Sequence, residues 1–119
     1  MDKKKILLVD DENSFLELMK LRLESCGYDI IVAGDGEEAF IKLKEAPDLI
    51  ILDVMMPRLD GYSFVRKLRS DPAAKAIPVV IMTAKPDMKD LFQMEGINHY
   101  LVKPVEKEEL LRVIRGIIG

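Results

Sequence analysis

Four short apolar runs dominate the sequence: Ile6 to Val9, Leu49 to Leu52, Val79 to Met82 and the weaker Tyr100 to Val102. Each is continuous rather than alternating. A strand with one wet face alternates apolar and polar residues, so an unbroken run belongs to a strand covered on both faces, as in a parallel sheet between helical layers. A fifth run, Tyr28 to Ala33, contains Asp29 and reads as an edge strand.

Between these runs the period becomes helical. Phe15, Leu16, Met19 and Leu23 share one face, with Ser14 and Glu17 spaced as a capping box. Asp35 and Glu38 offer a similar start ahead of Ala39, Phe40 and Leu43, and Pro47 limits continuation. Asp60 can cap a segment that buries Phe64, Val65 and Leu68 and stops near Asp71 and Pro72. Pro86 and Asp87 open a brief segment with Met88, Leu91 and Phe92, for which Gly96 supplies the C-terminal turn. Leu110, Val113, Ile114 and Ile117 form one stripe between Glu106 and Ile118. Five strand-then-helix units in 119 residues require right-handed crossovers, with helices on both faces of the sheet. The expected fold is α/β: a three-layer, doubly wound, five-stranded parallel sheet. Five units are too few to close an eight-stranded barrel.

Apolar residues at 49% and charged residues at 33% supply a core and a solvated shell, consistent with a single domain over residues 1–119. Lys and Arg number 18 against 21 Asp and Glu, a formal charge of −3 that argues against direct nucleic-acid binding as the main activity. The Lys3-Lys4-Lys5 triplet reads as a solvated lead-in to the first strand. Cys26 is the sole cysteine, which excludes an internal disulfide, fits a reducing compartment and is expected to act as a small buried apolar residue. No apolar run approaches the roughly 20 residues of a membrane span, and Met1 to Lys5 lacks a signal-peptide pattern. A cytoplasmic protein without membrane association is expected.

In doubly wound sheets the functional crevice lies beyond the carboxyl ends of the strands. Those ends carry Asp10 and Asp11 after strand 1, Asp53 after strand 3, Thr83 after strand 4 and Lys103 after strand 5. Two unit charges ~4 Å apart interact by about 4 kcal/mol at an effective dielectric of 20, roughly three pKa units. Three converging aspartates therefore need cations. Lys103 supplies one positive charge, and a divalent ion brings the formal sum to zero. Oxygen-only ligands without a His or Cys cluster favour a hard ion, Mg²⁺ first, with Mn²⁺ able to substitute.

The segments Leu8-Val9-Asp10-Asp11-Glu12, Leu52-Asp53-Val54-Met55-Met56-Pro57 with Asp60-Gly61, Met82-Thr83-Ala84 and Tyr100-Leu101-Val102-Lys103-Pro104, taken in order, resemble the receiver domain of bacterial two-component response regulators. The resemblance spans essentially the whole chain and is closest in kind to single chemotaxis-type receivers. It implies the flavodoxin-like strand order 2-1-3-4-5. It also implies a signalling module, not a conventional enzyme, that assists its own phosphorylation and dephosphorylation. Asp53 would be the phosphoacceptor, taking phosphate from the phosphohistidine of a histidine kinase or phosphotransfer protein. Asp10, Asp11 and Asp53, with the backbone carbonyl of Met55, would hold Mg²⁺. Thr83 and Lys103 would bind the phosphoryl oxygens, and Tyr100 would turn inward as Thr83 moves. The face formed by helix 4, strand 5 and helix 5 would engage a downstream effector or output domain, with a homodimer through it as a further arrangement. The Lys103-Pro104 peptide resembles a cis element of the family.

The residues support the phosphoacceptor independently, because a carboxylate is already ionised at neutral pH and needs no general base. His99, the only histidine, is expected to have an ordinary structural or surface role. One departure is local. Thr83 and Lys103 are 20 positions apart, about two fewer than in common family members, so helix 4 or its leading loop should be short. Met55 and Lys85 occupy positions that tune dephosphorylation in the family. Three rival readings share parts of this pattern. A flavodoxin-type cofactor protein has the same sheet, but Asp10-Asp11-Glu12 would repel its phosphate. An aspartyl-phosphate phosphohydrolase needs an Asp-x-Asp pair after strand 1, which is absent. A phosphorylation-independent binding module would keep the fold alone.

Overall fold

The architecture is that of a computed structural model, which describes residues 3–54 and 60–119. The strands are β1 (Lys5–Val9), β2 (Asp29–Ala33), β3 (Leu49–Leu52), β4 (Val79–Thr83) and β5 (His99–Val102). They alternate with helices α1 (Asn13–Glu24), α2 (Gly36–Lys42), α3 (Gly61–Arg69), α4 (Lys89–Gln93) and α5 (Lys107–Ile118). All four strand pairings are parallel, in the order β2-β1-β3-β4-β5. This is the expected flavodoxin-like sheet, with the mixed second run at its edge.

Successive side chains of a strand point to opposite faces, which explains the unbroken apolar runs. Leu7, Val9, Ile50, Leu52, Val79 and Ile81 pack beneath Ala39, Phe64, Val65, Leu68 and Phe92. Ile6, Leu8, Leu49, Ile51, Val80 and Met82 face the other way, against Leu16, Met19, Leu23, Leu110, Leu111 and Ile114. Thus α2, α3 and α4 cover one face and α1 and α5 cover the other. Each continuous run feeds both cores.

Local signals set most helix starts. Asp35 accepts from Glu38 N at 2.8 Å, while the Glu38 carboxylate accepts from Gly34 N at 2.5 Å. Asp60 accepts from Ser63 N at 2.8 Å and fixes the start of α3. The Ser14/Glu17 capping box does not form. Glu12 is the N-cap, in extended backbone and without a side-chain cap bond, so Ser14 lies inside α1 and its hydroxyl donates to Glu12 Oε1 at 3.4 Å. The helix begins earlier because the turn after Asp10 already directs the chain: Glu12 N donates to Asp10 Oδ1 at 3.0 Å.

Four smaller corrections follow from packing. Helix α2 ends at Lys42 and tightens into a 3₁₀ turn over Leu43–Glu45, with Ala46 at φ 54°, ahead of Pro47. Cys26 is half-buried, not buried, because it lies in the turn between α1 and β2 at the rim of the core. On α5, Val113 and Ile117 are half-buried, and Leu111 takes a place in the core instead. Helix α4 starts at Lys89, later than Pro86 and Asp87, and has only five residues. Of these, Phe92 alone is buried, stacked edge-on to Tyr62. The shortening expected from the Thr83–Lys103 spacing therefore falls on this helix and its lead-in.

Candidate functional site

Backbone ladders running one residue past the strands deliver the site residues. Asp10 N donates to Ala33 O at 3.1 Å, Asp53 N to Val9 O at 3.0 Å and Lys103 N to Thr83 O at 2.7 Å. Each functional side chain thus leaves a peptide held by the neighbouring strand. Because the strands are parallel, all these ends lie on one edge of the sheet.

There the Asp10, Asp11 and Asp53 carboxylates each offer an oxygen within 4.8 Å of the others. At that separation a pair of unit charges repels by about 3.5 kcal/mol at an effective dielectric of 20. Asp10 and Asp53 are buried, with 2% and 9% of their surface exposed, whereas Asp11 is open to solvent. Lys103 Nζ bridges the inner two, 2.6 Å from Asp10 Oδ2 and 3.1 Å from Asp53 Oδ2. One ammonium against three carboxylates leaves a formal deficit of two positive charges.

Burial holds the Asp10 pKa above its ordinary 3.8, reinforced by the Asp53 charge and opposed by Lys103 and the Glu12 N–H. For Lys103, burial is the largest single influence and pulls the pKa down. The bonds and charges of Asp10 and Asp53 together outweigh it and hold the ammonium above 10.5. The buried acid therefore pays for its desolvation, while the lysine stays charged. Oxygen-only donors, a net negative site and an exposed Asp11 on the solvent side fit a hard divalent cation. Mg²⁺ matches this donor chemistry.

Thr83 is buried at the end of β4, and its Oγ1 accepts from Lys85 N at 3.3 Å. Tyr100, half-buried on β5, packs on Phe92 with ring centroids 6.0 Å apart, and its hydroxyl donates to the Lys85 carbonyl. Burial holds the Tyr100 phenol pKa above 10.0. The Lys103–Pro104 peptide is cis. His99 is exposed on β5 opposite Val80. The proposed Met55 carbonyl ligand lies outside the described residues.

Two contributors escaped the sequence reading. Gly61 N donates to Val54 O at 2.9 Å, and a Cβ on Gly61 would stand only 2.8 Å from the Asp53 carbonyl oxygen. Its side-chain-free surface lets α3 close over the peptide that carries Asp53. The Asp60-Gly61 pair was visible as a motif, but the close approach was not. The other is Phe15, whose ring lies under the Lys103 ammonium, a contact with no local sequence signal.

A family model for the response regulator receiver domain matches residues 6–115. The chain belongs to the response regulator receiver domain family. It is 42% identical over 118 residues to the alkaline phosphatase synthesis transcriptional regulatory protein PhoP of Bacillus subtilis, covering 97% of this chain and 48% of that protein. It is also 42% identical over 121 residues to a probable transcriptional regulator, ycf27, of Porphyridium aerugineum, covering 99% of this chain and 49% of the other. The receiver thus spans about half the length of the curated relatives it matches. Among solved structures, chemotaxis protein CheY4 of Vibrio cholerae superposes with a TM-score of 0.90 at 33% identity, over 98% of this chain and all of the other. As a two-component receiver, the protein is a signalling module. That membership displaces the flavodoxin-type and phosphohydrolase readings. No helix among the described residues is long and apolar enough to cross a membrane.

Proposed function

We propose that this receiver is the phosphoacceptor of a phosphorelay, with Asp53 taking phosphate from the phosphohistidine of a histidine kinase or phosphotransfer protein. The observation that carries the reading is the acid cluster: three carboxylates within 4.8 Å, two of them bridged by one lysine. An Asp53 carboxylate oxygen attacks phosphorus, the N–P bond breaks, and the imidazole leaves with the bonding pair and takes up a proton. Asp53 becomes an acyl phosphate. Bound through Asp10, Asp11 and Asp53, Mg²⁺ (or Mn²⁺) would supply charge neutralisation for the incoming phosphoryl group. Asp10 and Asp11 would hold the cation, and the resemblance adds the Met55 backbone carbonyl as a further ligand.

After transfer Asp53 carries roughly two negative charges instead of one. Lys103 then follows the phosphoryl oxygens as a mobile point charge, and the Thr83 hydroxyl donates to another of them. Lys85 ties that event to Tyr100, since its N–H is held by Thr83 and its carbonyl by the Tyr100 hydroxyl. Drawing Thr83 to phosphate releases the first contact, and the Tyr100 bond to the Lys85 carbonyl carries the resulting shift of Lys85 to Tyr100. The energetics limit the switch. Moving a population from 1:99 to 99:1 needs about 5.5 kcal/mol, whereas each hydrogen bond to a charged group contributes roughly 1.5 to 3. Phosphorylation therefore biases the α4/β5/α5 face, and partner binding completes the change.

We read residues 1–119 as a single, cytoplasmic receiver domain whose α4/β5/α5 face engages an effector or output domain, or a second copy as a homodimer. With a formal charge of −3, the receiver itself makes no direct nucleic-acid contact in this reading. The test is Mg²⁺-dependent labelling by acetyl phosphate. Wild type should take up label and Asp53→Asn should not; equal labelling of the two rejects Asp53. Partner affinity indifferent to acetyl phosphate or beryllofluoride would instead favour a phosphorylation-independent module.

A further inference from the structure

The Lys103 ammonium has a third partner outside the acid cluster. It stands 4.1 Å from the centroid of the Phe15 ring. Phe15 lies in the first turn of α1, half-buried, and lines a groove with Leu18, Met19, Pro104 and Val105. The ring is backed by protein, and the Lys103 side chain is only 22% exposed. Attraction between a cation and an aromatic face is strongest when the pair is shielded from water.

We infer that Phe15 is a positioning residue of the phosphoryl site, whose ring keeps the Lys103 ammonium beside Asp53 when a metal cation claims Asp10. This rests on the phosphoacceptor reading of Asp53. The ammonium now satisfies itself on Asp10 and Asp53. A divalent cation on those carboxylates competes for the same oxygens and repels the lysine, whose flexible four-carbon stem would then swing toward water. The aromatic face carries no ionisable proton and is not a magnesium ligand, so its hold survives that exchange. An aliphatic side chain would fill the groove equally well but give the ammonium no electrostatic partner.

Nuclear magnetic resonance provides a readout that does not depend on activity. Without Mg²⁺, the Lys103 ε-methylene protons of wild type should be shielded by the ring, those of Phe15→Tyr likewise, and those of Phe15→Leu should return to ordinary lysine positions. With acetyl phosphate and saturating Mg²⁺, Phe15→Leu should label Asp53 about tenfold more slowly, the effect of a partly desolvated cation–π contact. Phe15→Tyr should label within twofold of wild type. Mg²⁺ affinity by calorimetry should stay within twofold in all three, because Phe15 supplies no ligand. If Phe15→Leu does not fold, Phe15→Met is read in its place. Lys103 resonances unmoved by the substitution, or undiminished labelling of Phe15→Leu, would overturn the role. Shielded Lys103 protons in a wild type that takes no label would overturn the phosphoacceptor reading, and this role with it, while leaving the contact intact.

Discussion

Adding one methyl group at Gly61 tests whether the Asp53 peptide is held by close packing. A Cβ at Gly61 would lie 2.7 Å from Val54 Cα, 2.8 Å from the Asp53 carbonyl oxygen and 3.2 Å from the Val54 carbonyl oxygen. Unstrained carbon contacts begin near 3.5 Å, so the overlap approaches ~1 Å. All three neighbours are backbone atoms and cannot rotate aside. Relief requires either lifting the start of α3 or shifting the peptide that positions Asp53. Overpacking of this kind costs typically 1 to 3 kcal/mol, and backbone opposition places Gly61→Ala near the top of that range, at about 3. Alanine's better helix propensity returns at most about 1 kcal/mol. The net loss is roughly 2 to 3 kcal/mol. For a chain of 119 residues this corresponds to a Tm lower by about 10 °C. Urea denaturation followed by circular dichroism measures the stability change. Asp60→Ala is the matched control: it removes the cap of the same helix for about 1 kcal/mol without crowding Asp53. Labelling by acetyl phosphate, under conditions where both variants are folded, should fall in Gly61→Ala and stay near wild type in Asp60→Ala. A Gly61→Ala protein within 0.5 kcal/mol of wild type, or equal labelling losses in the two variants, would refute the close-packing argument.

Three further outcomes follow from the site. Asp11→Asn, which removes the exposed member of the cluster, should weaken Mg²⁺ binding at least about tenfold by calorimetry. It should also reduce the rise in Tm expected of wild type in millimolar Mg²⁺. Thr83→Ala should still accept phosphate on Asp53 but lose phosphate-dependent partner binding; a normal response measured by titrating a cognate effector would remove Thr83 from the switch. In an absorbance titration of the three tyrosines, the component lost in Tyr100→Phe should ionise above 10.0, because burial disfavours the phenolate. Since the folded-state value is raised, the stability this group contributes is full below pH 10 and declines as pH climbs through the folded-state pKa.

How much of this was legible in the sequence depended on how local each determinant is. Continuous apolar runs identify doubly covered strands without reference to distant residues, and parallel pairing brings their carboxyl ends to one edge. Asp10, Asp53, Thr83 and Lys103 were therefore placeable from sequence, as were the Asp35 and Asp60 caps, each of which acts across three residues. The Ser14/Glu17 box satisfied the same spacing but failed, because the Asp10 carboxylate had already captured Glu12 N and set the helix start. The local rule lost to a contact belonging to the site. Where α4 begins was equally hidden, since a five-residue helix with one buried residue is placed by Tyr62 and Tyr100 packing on Phe92 rather than by its own period.

The remaining features arise between segments far apart in the chain. The Phe15 ring meets Lys103 only because the start of α1 and the residue after β5 come together at the carboxyl edge of the sheet, and Gly61 matters only because α3 closes on the Asp53 peptide. The motif residues form the charged cluster, but neither contact changes the charges that make the chemistry possible. Each constrains where a charged group can go: Gly61 lets α3 close on the peptide that carries Asp53, and Phe15 lies against the Lys103 ammonium. Two receivers with identical Asp, Thr and Lys residues can therefore differ in phosphorylation rate through these positions alone. Such variation is carried by packing against the site, where pattern matching along the chain has least access.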